Sequence, residues 1–93
     1  DDINIGVYGN FTISGPSAGF AVTGFTGGAN GRTLYVWNAS GEQMTIKNKD
    51  AGSTPATRIQ TNTGADVVLR DGNSSATFMY NSTASRWILM NSN

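Results

Sequence analysis

Carboxylates are the first candidates for chemistry in this 93-residue sequence, because histidine and cysteine are both absent. Histidine is the usual general acid or base in enzymes, and cysteine is a common nucleophile. The six carboxylates are Asp1, Asp2, Glu42, Asp50, Asp66 and Asp71. A two-carboxylate hydrolase would need two of them to flank one bond, but only the terminal pair is adjacent. Their spacing indicates solvated turn acids, so we expect no catalytic residues and no enzyme activity.

Two short segments could hold ions through oxygen atoms or backbone amides. Asp66, Asp71 and Asn73 are oxygen donors close in sequence, but they lack the regularly spaced acids of a calcium loop. The glycine-rich stretch GFTGGANGR (24–32) could cradle an anion with its N–H groups, yet it lacks the Gly-Lys-Ser/Thr ending and the following helix of a phosphate loop. We therefore expect no metal and no cofactor, and we interpret these segments as turns, with a tight hairpin at Asp71-Gly72.

Two aromatic residues, Tyr35 and Trp37, stand two positions apart in the strand-like run RTLYVWN. Alternate residues of a strand share a face, and an exposed aromatic pair could stack on the apolar face of a sugar ring. The pair is therefore a candidate receptor or glycan contact. Large aromatic residues in small domains more often lie in the core, and the sequence favours that interpretation.

Charge and hydropathy exclude several classes of partner. Six basic and six acidic residues give a net charge of zero without a basic cluster, whereas nucleic acid is bound by concentrated positive charge. No apolar run is long enough for a membrane-spanning helix. Charged residues make up only 13% of the chain, compared with about 25% in ordinary domains, which favours an extracellular or particle-surface β protein. Because the chain starts at Asp1 without methionine, we expect it to be a piece of something longer.

Short strand-like runs alternate with turn residues along the whole chain, and no helical period is sustained. Their spacing of roughly ten residues is typical of a meander, sandwich, barrel or β-helix-like array. The predicted strands are Ile3–Tyr8, Phe11–Ser14, Gly19–Phe25, Arg32–Asn38, Gln43–Asn48, Thr57–Gln60, Asp66–Arg70, Ser75–Asn81 and Arg86–Asn91. The runs FTIS and MTIK echo each other, but no strict repeat is visible. We predict an all-β fold of short antiparallel strands.

Composition divides the chain loosely into two parts of one domain. Residues 1–29 are glycine-rich with small side chains, which predicts a thin, shaft-like β segment whose backbones approach closely. Residues 30–93 have bulkier strands and contain both tryptophans. They are predicted to form a compact head.

The last two strands carry apolar side chains on both faces. Phe78 and Tyr80 share one face and Met79 takes the other, and the final strand repeats this arrangement from Trp87 to Met90. One small domain has room for a single two-layer core, which covers one face of each strand. The second face therefore predicts association with further copies of the chain, although residue pattern alone does not choose between two-fold and three-fold symmetry.

The stretch NTGADVVLRDGNSSATFMYNSTASRWILM (62–90) resembles a pattern in bacteriophage fibre and appendage proteins. The pattern has a Gly-Ala-Asp entry, an apolar strand, a glycine turn, a strand ending in tyrosine, and Arg-Trp in the last strand. The preceding GGANGRTLYVWNASGEQMTIKNKDAGSTPATRI (27–59) resembles the same proteins in its Gly-Arg-Thr strand, its TIKN strand and its following loop. Together the two stretches cover about two thirds of the chain.

The resemblance implies an interwoven homotrimer, built as a β-rod or β-prism with a shaft and a small head, on the surface of a virion. It implies a head or tail fibre domain that joins the other virion proteins through a preceding segment and aids attachment to the host, with a cell-surface glycan as the candidate contact. The implied trimer interface and adjoining core are Val67, Leu69, Phe78, Tyr80, Trp87 and Leu89, and Arg86 is expected to bind a carboxylate or a carbonyl. The alternative is a secreted monomeric carbohydrate-binding module or adhesin that uses Tyr35 and Trp37.

Overall fold

The computed structural model describes residues 2–6, 9–70 and 73–92, and within them the chain is almost entirely β-structure. The strands are β1 (Asp2–Ile3), β2 (Asn10–Ile13), β3 (Phe20–Val22), β4 (Gly24–Phe25), β5 (Thr33–Asn38), β6 (Met44–Ile46), β7 (Ile59–Gln60), β8 (Val67–Leu69), β9 (Ser75–Asn81) and β10 (Arg86–Ser92). A single turn of 3-10 helix spans Pro55–Thr57. The predicted all-β fold is confirmed.

Most observed strands lie close to the predicted ones, but the prediction is wrong at three places. The first predicted strand ends at Ile3 instead of continuing, because the chain turns at Gly6, which has a φ of 57° and donates its N–H to the Asn4 side chain at 2.9 Å. Thr57, predicted to begin a strand, lies in the 3-10 helix. The predicted strand Gly19–Phe25 is divided at Thr23 into β3 and β4. Two predicted features lie outside the described residues, namely the end of the first predicted strand at Val7 and Tyr8 and the hairpin at Asp71-Gly72. Among the described residues, no helix is long and apolar enough to cross a membrane.

The first six strands form two stacked coils, each contributing one strand to each of three sheets. Strand β1 pairs with β4, β2 with β5 and β3 with β6, all in parallel. Asp2 lies opposite Gly24, Asn10 opposite Tyr35 and Phe20 opposite Met44, so partners are 22 to 25 residues apart. We name residues 2–23 coil 1 and residues 24–47 coil 2.

The chain after coil 2 turns back and covers it with strands of opposite direction. Strand β8 pairs antiparallel with β6, β9 pairs antiparallel with β5, and Arg58 forms an antiparallel bridge with Gly24. Strand β10 then lies between β9, to which it is antiparallel, and β7, to which it is parallel. The result is a five-stranded sheet β2-β5-β9-β10-β7, a three-stranded sheet β3-β6-β8 and the pair β1-β4.

The prediction of antiparallel strands is wrong for four of the seven strand pairs found among the described residues, since these four are parallel. The reason is the path of the chain between strands. In coils 1 and 2, successive strands pass from one sheet to the next instead of folding back as hairpins, so a strand meets its partner one full coil later. Parallel pairing needs such long crossover connections, which here contain other strands.

The core lies between the three sheets and draws on both halves of the chain. Its buried apolar residues are Ile5, Val22, Phe25, Leu34, Val36, Met44, Ile46, Ile59, Ala76, Phe78, Tyr80, Trp87 and Leu89. Burying each large side chain contributes roughly 1.5–3 kcal/mol. The rings of Phe25 and Phe78 lie 5.1 Å apart, and Trp87 meets both Phe25 and Tyr80 edge to face. Residues 1–29 and 30–93 thus share one core.

Candidate interaction surface

The outer face of the five-stranded sheet exposes two aromatic side chains of β5. Along β5, Leu34, Val36 and Asn38 point into the core, so the alternating positions Tyr35 and Trp37 point outward. Tyr35 is 57% exposed and Trp37 is 49% exposed. The interpretation of this pair as core residues is therefore wrong, and the two rings are open to solvent.

Asn38, the last residue of β5, is a polar residue on the core face of the strand. An asparagine at this position suggests an outward face, yet its side chain is fully buried. Its amide nitrogen donates to the carbonyl oxygen of Glu42 at 2.6 Å, and its carbonyl oxygen accepts from the Ser40 hydroxyl at 2.6 Å. Buried polar groups are tolerated when they are hydrogen-bonded, so Asn38 organises the β5–β6 turn from inside.

Apolar side chains continue from β5 across β9 and β10 on the same outer face. Met79 pairs with Thr33, which places it diagonally beside Tyr35. Ile88 lies directly opposite Met79, and Met90 follows two positions along β10. Met79 is 39% exposed and Met90 is 57% exposed. We name the five residues Tyr35, Trp37, Met79, Ile88 and Met90 the apolar stripe.

A shallow depression of about 340 Å³ lies at one end of the apolar stripe. It is lined by Asn30, Gly31, Met79, Tyr80, Asn81, Ile88 and Met90. The two asparagines supply amide groups beside the apolar floor, and the Asn30 side chain accepts a hydrogen bond from the backbone of Ser82 at 3.1 Å. The surface thus combines apolar area with a few polar groups, as binding surfaces do.

The six residues predicted for a trimer interface and the adjoining core face the interior of this chain. Phe78, Tyr80, Trp87 and Leu89 are buried, and Val67 and Leu69 are half-buried against the same core. Two of them also make internal hydrogen bonds. The Tyr80 hydroxyl donates to the carbonyl oxygen of Ala56 at 2.7 Å, and the Trp87 indole donates to that of Phe25 at 2.8 Å. The outward positions of the last strands are instead Met79, Ile88 and Met90.

Arg86 binds backbone carbonyls, one of the two partners expected for it. Its guanidinium donates to the carbonyl oxygens of Pro55 and Ser85, both at 3.1 Å. These bonds fix the end of the β9–β10 turn against the 3-10 helix. Arg86 therefore has a structural role beside the core.

One charged pair stands apart from the apolar stripe and organises the loops around β6. The Lys47 ammonium lies 2.9 Å from the Asp66 carboxylate, which also accepts the Asn48 backbone N–H at 2.8 Å. That backbone hydrogen bond and the lysine together lower the pKa of Asp66, and the same pair raises the pKa of Lys47. In the described ranges, no cluster of three carboxylates, histidines or cysteines could hold a metal ion.

The apolar stripe contains four of the large apolar side chains that the described part of the chain exposes to solvent, Tyr35, Trp37, Met79 and Met90. No protein-family model, curated protein or solved structure matches the sequence or its fold.

Proposed function

We propose that this chain is a structural domain of a bacteriophage fibre that assembles as a homotrimer on the virion and takes part in attachment to the host. The observation that carries the proposal is the apolar stripe on the outer face of the five-stranded sheet. Together with the sequence resemblance to fibre proteins, the stripe supports self-association through a face that the single chain leaves uncovered.

The chemistry of the stripe suits a protein interface. Aromatic residues and methionine are enriched in interfaces, while lysine and glutamate are depleted. The stripe contains two aromatics and two methionines without a charged residue among its five members. In a cyclic trimer each chain contacts both of the others. Burial of the stripe side chains at these contacts would offset the free-energy cost of association, which is roughly 4–15 kcal/mol.

The stacked coils support a rod-like role. Each coil adds one strand to each sheet in the same direction, so the sheets extend along a common axis. Three chains placed side by side through their stripes would form a prism with the coil axes parallel. The turns between strands would then lie on the outside, where a host surface can reach them.

The native mass of the protein tests this proposal. We expect the wild type to have a mass that is a multiple of three 9.8 kDa chains, measured by light scattering after gel filtration. Met79→Glu places a charge in the stripe and is expected to remove the factor of three. Val68→Glu is the matched control, because Val68 is 41% exposed and lies on the three-stranded sheet. A wild-type mass that is no multiple of three would contradict the proposal.

A second candidate function, a carbohydrate-binding module, is favoured by the exposure of Tyr35 and Trp37 on one face. Their rings are two positions apart on a rigid strand, which suits stacking on sugar rings. A glycan array with wild type and Trp37→Ala tests it. Loss of one class of glycan signal in Trp37→Ala supports the platform, while identical profiles discard it.

A further inference from the structure

Polar side chains of β2 flank the two exposed aromatic rings of β5. The pairing of β2 with β5 places Asn10 beside Tyr35 and Thr12 beside Trp37. Asn10 and Thr12 are exposed, because the alternating positions of β2 are the ones that pack against the core. The β2 side of the aromatic pair therefore presents an amide and a hydroxyl group.

Strand β9 flanks the same rings with hydroxyl groups on the other side. It runs antiparallel to β5 and places Thr77 beside Tyr35 and Ser75 beside Trp37. Thr77 and Ser75 are half-buried at the surface, whereas Ala76 between them is buried in the core. Each aromatic ring thus has a polar neighbour on both adjacent strands.

A bulge in β10 adds a second amide to this surface. Leu89 pairs with Phe78 and Asn91 pairs with Thr77, so Met90 is an extra residue without a partner on β9. Regular alternation would turn Asn91 toward the core, but the bulge turns it to the face of Thr77, where it is exposed. A row of side chains therefore crosses four strands of the sheet, namely Asn10, Tyr35, Thr77 and Asn91.

The polar side chains around the rings have unused hydrogen-bonding groups. These side chains are Asn10, Thr12, Ser75, Thr77 and Asn91. Within the described ranges, no hydrogen bond joins any of the five to another group of the protein. The amides of Asn38, Asn48 and Asn81, by contrast, all bond to backbone atoms. The donors and acceptors beside the rings are therefore available to a ligand.

The surface around Tyr35 and Trp37 is also uncharged. We name the two aromatic residues and their five polar neighbours the aromatic-polar face, and none of these seven residues is acidic or basic. Carboxylates and phosphates are usually recognised by arginine or lysine through charge-assisted hydrogen bonds. The aromatic-polar face offers no such group, so its chemistry favours an uncharged ligand.

A ligand that fits this face has flat apolar sides and hydroxyl groups around its edges. Sugar rings have both, because their C–H faces stack on aromatic planes and their hydroxyls bond to amide and hydroxyl groups. We propose that the aromatic-polar face binds a neutral oligosaccharide, with Tyr35 and Trp37 under neighbouring sugar units. This inference rests on the second candidate function, carbohydrate binding, and names the class of its ligand.

The strand geometry sets the direction of the bound oligosaccharide. Two residues of a strand span roughly 6.6 Å, so Tyr35 and Trp37 each contact one of two successive units in a chain that runs along β5. The polar side chains of β2 line one edge of this path. Those of β9 and β10 line the other, so the ring hydroxyls meet hydrogen-bonding groups on both edges.

A protein partner fits the aromatic-polar face less well. Its surface would remove water from the five unbonded polar side chains, and buried polar groups need hydrogen-bond partners. A sugar supplies those partners at its edges. In the proposed trimer, contact between copies would then fall to the part of the apolar stripe on β9 and β10, namely Met79, Ile88 and Met90.

A glycan array with neutral and acidic oligosaccharides tests the inference. Oligomers of glucose, mannose and N-acetylglucosamine are the neutral probes, and oligomers of galacturonic acid and sialic acid are the acidic ones. We expect the wild type to bind neutral chains of two or more units and to leave the acidic chains unbound. Trp37→Tyr keeps a ring and should retain binding, whereas Trp37→Ala should weaken it by about tenfold.

Variants of the polar neighbours test the edges of the site. Thr77→Ala and Asn91→Ala each remove a hydrogen-bonding group beside Tyr35. Each should weaken binding of the best neutral oligomer by about two- to tenfold in titration calorimetry. Thr45→Ala is the matched control, since Thr45 is a half-buried threonine on the outer face of the three-stranded sheet. It should leave binding unchanged, and circular dichroism checks that all variants are folded.

The possible failures of this inference differ from those of the proposed functions. Binding to acidic chains alone that is lost in Trp37→Ala would overturn the neutral ligand and leave the carbohydrate-binding function standing. Binding unchanged in Thr77→Ala and Asn91→Ala would overturn the polar edges. Absence of binding to every probe, or binding unchanged in Trp37→Ala, would overturn both the inference and the carbohydrate-binding function. The trimer is judged by native mass, which none of these outcomes changes.

Discussion

The indole N–H of Trp87 donates a 2.8 Å hydrogen bond to the backbone carbonyl oxygen of Phe25, 62 residues earlier in the chain. The two rings also meet edge to face, with centroids 5.7 Å apart and planes inclined at 82°. Both residues are completely buried. This contact joins β10 to β4 and thus connects the closing strand of the five-stranded sheet to coil 2.

Trp87→Phe is expected to lower the free energy of unfolding by at least about 1–3 kcal/mol, because it leaves the Phe25 carbonyl buried without its partner. The smaller ring also leaves space in the core, which adds to the loss. Urea unfolding followed by far-ultraviolet circular dichroism measures the change. Val68→Thr is the control at an exposed position of the three-stranded sheet, outside the apolar stripe, where we expect a change within about 0.5 kcal/mol. Equal losses in both variants would contradict this assignment of Trp87.

Gly28→Ala is expected to destabilise the fold, because a Cβ atom at this position would overlap the ring of Tyr80. Tyr80 cannot move away easily, since its hydroxyl is bonded to Ala56. Overpacking of this kind costs about 1–3 kcal/mol. Gly15→Ala provides the comparison, because no atom lies within 4 Å of its Cβ position. Thermal unfolding should show a lower midpoint for Gly28→Ala and little change for Gly15→Ala.

Ser85→Gly is expected to stabilise the β9–β10 turn. Ser85 has a φ of 52°, in the left-handed region that costs non-glycine residues roughly 1–2 kcal/mol. Glycine removes this strain, although its greater freedom in the unfolded chain offsets part of the gain. We expect the free energy of unfolding to rise by up to about 1 kcal/mol. Ser82→Gly in the same turn is the control and should be neutral or destabilising, so a larger gain there would refute the explanation.

The ion pair of Lys47 and Asp66 predicts a loss of stability in acid. The folded pKa of Asp66 lies below its usual value of 3.8, so its contribution is complete above that value and disappears as the pH falls through the lower folded pKa. Asp66→Asn should flatten the decline of stability below about pH 4. Both groups are exposed, so salt should weaken the effect. Glu42→Gln, in the β5–β6 turn, is the control, and an equal flattening there would contradict the prediction.

Strand positions could be predicted because turn residues and alternation mark them locally. Ser75–Asn81 occurs as predicted, and two of the glycines between strands, Gly31 and Gly41, have φ of 83° and 81°. Strand pairing could not be predicted in the same way. The two coils share backbone geometry but little residue identity, since Phe11 lies beside Val36 and Phe20 beside Met44. The similar runs FTIS and MTIK lie in β2 and β6. These strands belong to different sheets, so the similarity does not mark a strand pair.

The candidate surface was only half visible in the sequence. Two-faced apolar strands were recognised at β9 and β10, and Met79, Ile88 and Met90 do lie on the outer face. At β5, both faces are apolar, so alternation alone could not decide which one faces the core. The buried side of β5 also contains Asn38, whose hydrogen bonds depend on a turn conformation that the sequence does not display.

The position of β10 inside the five-stranded sheet has a consequence for biosynthesis. Among the described strands, β7 pairs with β10 alone, and β10 also supplies Trp87 to the centre of the core. A nascent chain that has not yet released residues 86–92 from the ribosome therefore holds β7 without its sheet neighbour and Phe25 without its indole. Folding of this domain must wait until β10 has emerged. Until then, the apolar core residues of the nascent chain are exposed and available to chaperones.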